Sequence, residues 1–204
     1  MEKRAVSLGT ARTWGFTVVE ILVVMTIILV LAGLVLATSS YVHNKGARSR
    51  AEAEIAAMSA ALENYKADNG IYPWSSNTNA LDARTTFDPS APAYSAASLY
   101  LYEKLTGVTS GSRSEIPSGT TYYGFRPNML LPAPPSTADV TAIRDPFGNS
   151  YGYSTAANPQ ANPTPAPSPV GYNPTFDLWS TAGAAPSPTP TPPRTQQDLW
   201  IKNW

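Results

Sequence analysis

The chain has 204 residues, 14 basic and 14 acidic side chains, one histidine and no cysteine. That length holds one modest domain plus a helical extension. The balanced charge excludes the basic footprint of a nucleic-acid binder, and without thiols no disulfide framework exists, so packing or a metal must hold the fold. Prolines divide the chain: all 20 lie from Pro73 onward, so residues 1–72 contain nothing that forbids a helix.

A short leader, residues 1–15, carries Lys3, Arg4 and Arg12 against Glu2. Without it the chain has 14 − 3 = 11 basic and 14 − 1 = 13 acidic residues, a net of −2. An apolar run follows from Phe16 to Ala37, 22 residues that as a helix reach about 33 Å, enough for a bilayer core. Basic residues ahead of such a run place the N-terminus in the cytoplasm. Glu20 is the run's one ionisable side chain. A carboxylate in a membrane helix costs about 2.5–3.5 kcal/mol at the centre, less near an end, and calls for a cationic partner. A cut between Gly15 and Phe16 would supply one, because a free α-amine with pKa about 7.7–8.0 is mostly protonated at neutral pH.

The segment Gly15-Phe16-Thr17-Val18-Val19-Glu20, behind a basic leader and ahead of an apolar helix, resembles the class III signal peptide of type IV pilins and type II secretion pseudopilins. The resemblance implies that a prepilin peptidase removes residues 1–15 and methylates the Phe16 amine. It implies too that Glu20 meets the N-terminus of a neighbouring subunit in a helical filament. A Sec signal peptide has an apolar region of about 7–15 residues, shorter than this one. A plain signal anchor explains the length but neither Gly15-Phe16 nor Glu20. A buried helix of a soluble protein does not fit 17 unbroken uncharged residues from Ile21 to Ala37.

Residues 38–70 continue as an amphipathic helix. Ala51, Ile55, Met58, Leu62 and Tyr65 recur at spacings of 4, 3, 4 and 3, one apolar stripe. Arg48–Glu52 and Arg50–Glu54 read as i,i+4 pairs on the solvated side. Asn69-Gly70, with Pro73 beyond, stops the helix. One helix over 17–69 is expected, with a bend near His43-Asn44-Lys45-Gly46; His43 reads as an interfacial residue rather than a catalyst.

Residues 71–204 read as a small, loop-rich β domain. Ser95–Leu105 is expected as a helix with Ser95 as N-cap and Gly107 past its end. Strands are expected at 121–126, 150–153, 175–180 and 198–204, with a turn at Asp145-Pro146-Phe147-Gly148-Asn149. Two Pro-rich loops, 158–169 and 184–193, are expected as extended surface segments. No phosphate loop, Cys/His metal spacing or nucleophile elbow occurs, so a structural subunit rather than an enzyme is expected.

The pieces NYKADNGIYP, DPFGNSYGY, FDLWSTAG and DLWIKNW are similar, in that order, to the major pseudopilins of type II secretion. Residues 74–144 have no clear counterpart. The resemblance implies an α+β, type IV pilin-like fold: a long N-terminal helix, membrane-spanning in its first half (16–37), packed through its second half on a small C-terminal antiparallel sheet. It implies a subunit that polymerises into a periplasmic filament driving protein export, starting from an inner-membrane precursor. The implied partners are further copies of the chain, minor pseudopilins, the prepilin peptidase, and the assembly platform with its ATPase. A surface-pilus subunit shares the N-terminus; a carbohydrate-binding module would use the aromatics as a sugar platform but leaves Gly15-Phe16 and Glu20 unexplained. In the family the loop between the last two strands binds calcium. Here Ala184 and Ala185 stand at the acidic position, and Asp198 is the one carboxylate after Asp177. Calcium takes six to eight oxygens, so Asp198 plus carbonyls is a weak metal site, and a Pro-rich loop in place of the metal is the favoured reading.

Overall fold

The computed structural model describes Gly15 and residues 17–163, 170–184 and 196–204; the side chains of 35–41 and of Gln196 lie outside that set. Much of both Pro-rich loops, 164–169 and 185–195, lies outside it too. Two compact units are formed, Met1–Asn44 and Lys45–Trp204.

Helix α1 spans Val18–Asn69 and is helical through His43–Gly46. Thr17 starts it: its Oγ1 accepts the Glu20 backbone N–H at 3.2 Å and its carbonyl accepts that of Ile21 at 3.2 Å. A hydroxyl at the cap with Glu three residues on is the spacing of a capping box. The helix ends at Gly70, whose φ of 79° needs no Cβ relief and whose N–H reaches the Lys66 carbonyl at 2.7 Å.

In the larger unit the expected stripe is buried at Ala51, Ile55, Met58 and Leu62, while Tyr65 is half-buried and meets Tyr122 edge-on at 5.2 Å. The stripe packs against a three-stranded antiparallel sheet of β3 (Gly152–Ser154), β4 (Asp177–Ser180) and β5 (Ile201–Lys202), in that order. Both sheet faces are covered. Leu178, Tyr151, Tyr153 and Ile201 join α1's stripe, whereas Trp179 joins Leu81, Tyr94 and Trp200 in a second cluster. The split follows from alternation of side chains along a strand. Gly152 lies opposite Trp179 in the ladder and leaves the space that the indole fills. Trp200 stacks on Trp179 at 5.9 Å, and Trp204 meets it edge-on at 5.8 Å. Asn203 extends the ladder: its Oδ1 accepts the Leu178 N–H at 2.8 Å and its Nδ2 donates to the Phe176 carbonyl at 3.1 Å.

Several expectations are corrected here. Helix α3 is Pro92–Thr106, not 95–105; Ala91 is the N-cap and Pro92 opens the helix, where its missing N–H costs nothing. Ser95 lies inside it, its hydroxyl donating to the Pro92 carbonyl at 3.0 Å. Gly107 closes it in the left-handed region, as expected. No strand forms at 121–126: the N–H groups of Tyr122 and Tyr123 both go to the Leu105 carbonyl, at 2.8 and 3.1 Å, so this stretch caps α3. The expected strand at 198–204 shrinks to β5, and Asp198 sits in a 3-10 turn, Gln196–Asp198, before it. Glu54 is not on a solvated face. It is 8% exposed and accepts from Arg50 Nε at 2.7 Å and Tyr151 Oη at 2.8 Å. Arg48 reaches the Leu199 carbonyl at 2.9 Å instead of Glu52, tying α1 to the turn before β5.

Residues 74–144, left without a counterpart, contain α2 (Ser76–Ala80), α3 and a two-stranded sheet of β1 (Leu130–Leu131) and β2 (Ala142–Ile143). A reciprocal box between Ser75 and Thr78 caps α2. Ser98, buried in α3, accepts the Ile143 N–H at 2.8 Å and fastens β2 to the helix.

Candidate functional site: the helix start and the C-terminal loop

The smaller unit presents the residues that the sequence singled out for processing and assembly. Gly15 is exposed, and a Cβ built on it would meet nothing within 4 Å. Space inside the subunit therefore does not select glycine there. Phe16 lies outside the described residues. Glu20 is exposed in the first turn of α1, and its carboxylate has no hydrogen bond or ion pair among the described residues. The N-terminal end of a helix favours a carboxylate by about 0.3–1 kcal/mol. Thr17 was not singled out from the sequence, although the signal, Thr-x-x-Glu ahead of an apolar run, was present.

From Val18 to Leu34 the helix is apolar on every side and exposed on every side; Val18, Leu22, Leu29 and Leu34 are each more than 60% open. The one hydroxyl of the run, Thr26, is silenced by donating to the Leu22 carbonyl at 2.8 Å. Among the described residues no helix is long and apolar enough to cross a membrane. The sequence of the run continues to Ala37, into residues whose side chains lie outside the described set.

At the other end, the turn Asp145–Asn149 and the loop after β4 form one polar knot. Asp145 is 1% exposed; its Oδ1 accepts the N–H groups of Phe147 and Asn149, and its Oδ2 accepts the Ser180 hydroxyl at 2.5 Å. Burial raises its pKa against those hydrogen bonds. Ala182 and Gly183 both take positive φ, 54° and 71°, and the turn closes through Ala184 N–H on the Thr181 carbonyl at 2.9 Å. A Cβ on Gly183 would lie 3.2 Å from the Phe147 ring, so the two turns touch. Asp177, 2% exposed, accepts the N–H groups of Tyr172 and Asn173, each at 2.8 Å, and burial pushes its pKa up to about 6.

These residues do not fit the calcium that the resemblance implies. The carboxylates of Asp145 and Asp177 are already committed to backbone N–H groups and to Ser180. Among the described residues no group of three or more acidic, His or Cys side chains is assembled. Residues 185–195 bring no carboxylate by sequence. By sequence Asp198 is the one acidic side chain after Asp177.

Three known proteins are similar to part of the chain, and all are described as type II secretion system core protein G. The one from Pectobacterium carotovorum subsp. carotovorum is 37% identical over 86 residues, 42% of this chain and 55% of that protein. The one from Klebsiella michiganensis is 36% identical over 81 residues, 39% of this chain and 57% of its own. The Escherichia coli K12 protein is 42% identical over 65 residues, 32% of this chain and 45% of its own. The chain thus spans about half the length of the curated relatives it matches. No family model matches it, and no solved structure does.

Proposed function

We propose that the chain is a pseudopilin, a structural subunit that polymerises into a periplasmic filament for protein export by type II secretion. The observation that supports this most is the helix start: an exposed apolar helix, capped by Thr17, with one carboxylate, Glu20, that has no partner among the described residues. Such a surface must be covered by lipid or by other helices, because water does not tolerate it. In the precursor the bilayer covers it; in the filament, neighbouring copies do. Cleavage after Gly15 frees the Phe16 amine, and that cation on one subunit neutralises Glu20 on the next, setting the axial register. No catalytic step is assigned to the chain. The similarity to core protein G from three bacteria supports the same reading over the matched part. The prepilin peptidase, the assembly platform with its ATPase and the minor pseudopilins are the partners this role requires.

The test has two arms. Mass spectrometry of the membrane-extracted protein gives a chain beginning at methylated Phe16; a mature start near Thr38 refutes the processing. Glu20→Gln is inserted and cleaved but joins filaments poorly, with Glu20→Asp between it and wild type. If Glu20→Gln supports assembly and secretion like wild type, the charge-register account is wrong.

A further inference from the structure

A groove of about 530 Å³ opens between the end of α3 and the loops that flank β1. Its floor is apolar: Tyr102 and Leu130 are buried there, and Phe125 lies 5.4 Å from Tyr102 ring to ring. Tyr123 braces Phe125 edge-on at 4.6 Å. One wall is fastened by Arg113, which donates to the Ala138 carbonyl at 2.5 Å and the Pro132 carbonyl at 2.7 Å. These bonds fix the guanidinium in place, and its positive charge acts on the Tyr102 hydroxyl. Asp139, on the rim, is exposed and makes no hydrogen bond or ion pair among the described residues. The site offers aromatic faces, a guanidinium held on backbone carbonyls and, on the rim, an exposed carboxylate.

Grooves of this kind take proline-rich segments, whose rings lie flat on aromatic faces and whose extended backbone has little order left to lose. This chain carries such a segment. Residues 185–195 read A-P-S-P-T-P-T-P-P-R-T, five prolines with a single charge, Arg194. The other tract, 158–169, has no charged residue. Residues 185–195 leave from Ala184, held on Thr181, and return at the turn Gln196–Asp198. At about 3.1 Å per residue for an extended chain, eleven residues anchored at both ends can reach at most roughly 17 Å from their anchors.

We propose that the Tyr102–Phe125 groove receives the proline-rich segment 185–195 of a second copy of the chain, with Arg194 against Asp139. The contact joins subunits through their globular domains, independently of the helix contacts that Glu20 governs. It rests on neither the Gly15 cut nor the Glu20 charge, so its failure leaves those tests untouched.

A fluorescently labelled peptide of residues 184–197 is titrated into the full chain in detergent micelles and followed by anisotropy. Saturable binding is expected. Asp139→Lys weakens it by about fivefold or more, the scale of an exposed ion pair lost and reversed. Phe125→Ala or a peptide with alanine in place of every proline abolishes saturation. No saturable binding by the wild type overturns the proposal. So does binding that ignores Asp139→Lys and the proline-free peptide, which would mark nonspecific adhesion. Binding seen only after the chain's own 185–195 is replaced by Gly-Ser assigns the groove to the same copy's segment and overturns the second-copy assignment.

Discussion

Gly152→Ala should destabilise the larger unit sharply, although the added group is one methyl. A Cβ at position 152 would lie 2.2 Å from Trp179 Cε2 and 2.3 Å from Cζ2. Carbon atoms rest at about 3.5–4.0 Å, so the indole must retreat by more than about 1 Å. It has nowhere easy to go. Its Nε1 donates to Tyr94 Oη at 2.9 Å, Tyr94 packs on it edge-on at 5.6 Å, and Trp200 stacks on it at 5.9 Å. Retreat forfeits a hydrogen bond of about 0.5–1.5 kcal/mol and part of two ring pairs of about 0.5–1.5 kcal/mol each. Overpacking alone costs about 1–3 kcal/mol, so a loss near 3 kcal/mol is expected. In a unit of this size that lowers Tm by about 10 °C. The sign is informative, because alanine in place of an unconstrained glycine stabilises by about 0.4–1 kcal/mol. The assay is near-UV circular dichroism melting of Gly152→Ala and of Gly152→Ala combined with Trp179→Leu, each against its parent. With the indole gone, the alanine should cost less than about 1 kcal/mol. A single variant melting within about 2 °C of wild type, or a penalty that survives removal of Trp179, refutes the reasoning.

Acid should stabilise this fold over a window where many proteins lose ground. Asp177 titrates near 6 in the folded chain and near 3.8 unfolded. Between those values the native state holds a proton the unfolded state has lost, so stability falls as pH rises through about 4 to 6. Asp145 shifts in the same direction. The rise from 3.8 to about 6 at Asp177 sets a ceiling of about 3 kcal/mol. Tm should therefore rise from pH 6.5 to pH 4.5, and a flat or falling profile would contradict the burial argument. Calcium should leave Tm unchanged against chelator, since a bound ion stabilises by RT ln(1 + [L]/Kd); a shift of several degrees at millimolar calcium would show a site that the side chains do not suggest.

The long helix was legible because its signals are local and agree: no proline before Pro73, a stripe at 51, 55, 58, 62 and 65, and Gly70 as a stop. The turn at Asp145–Asn149 was legible for the same reason, since Pro, Gly and Asn act on their own φ. What failed was whatever depended on distant partners. TYYGFR reads as a short strand, yet the N–H groups of Tyr122 and Tyr123 find the open carbonyl of Leu105 at the end of α3 rather than a neighbouring strand. Arg50–Glu54 has the spacing of a solvated pair, but Tyr151, 97 residues on, brings Glu54 inside. The N-cap of α3 was misplaced because Pro92 and Ala91 carry no capping side chain to read. At the helix start the charge of Glu20 is a strong signal in an apolar run, whereas the hydroxyl of Thr17, which caps the same turn, is a weak one beside it.

The last strand has a consequence for how the fold comes apart. β5 pairs with β4 at only two positions, Trp179 with Lys202 and Ser180 with Ile201. So short a ladder cannot hold itself; rings on either side of it, Trp200 and Trp204, are seated against Trp179. Opening at the C-terminal segment is therefore an all-or-none unseating of indoles rather than gradual fraying. In native-state hydrogen exchange the Asn203 and Trp200 amides, which donate to Leu178 and Gln197, should open together, at a free energy that tracks Trp179 substitutions.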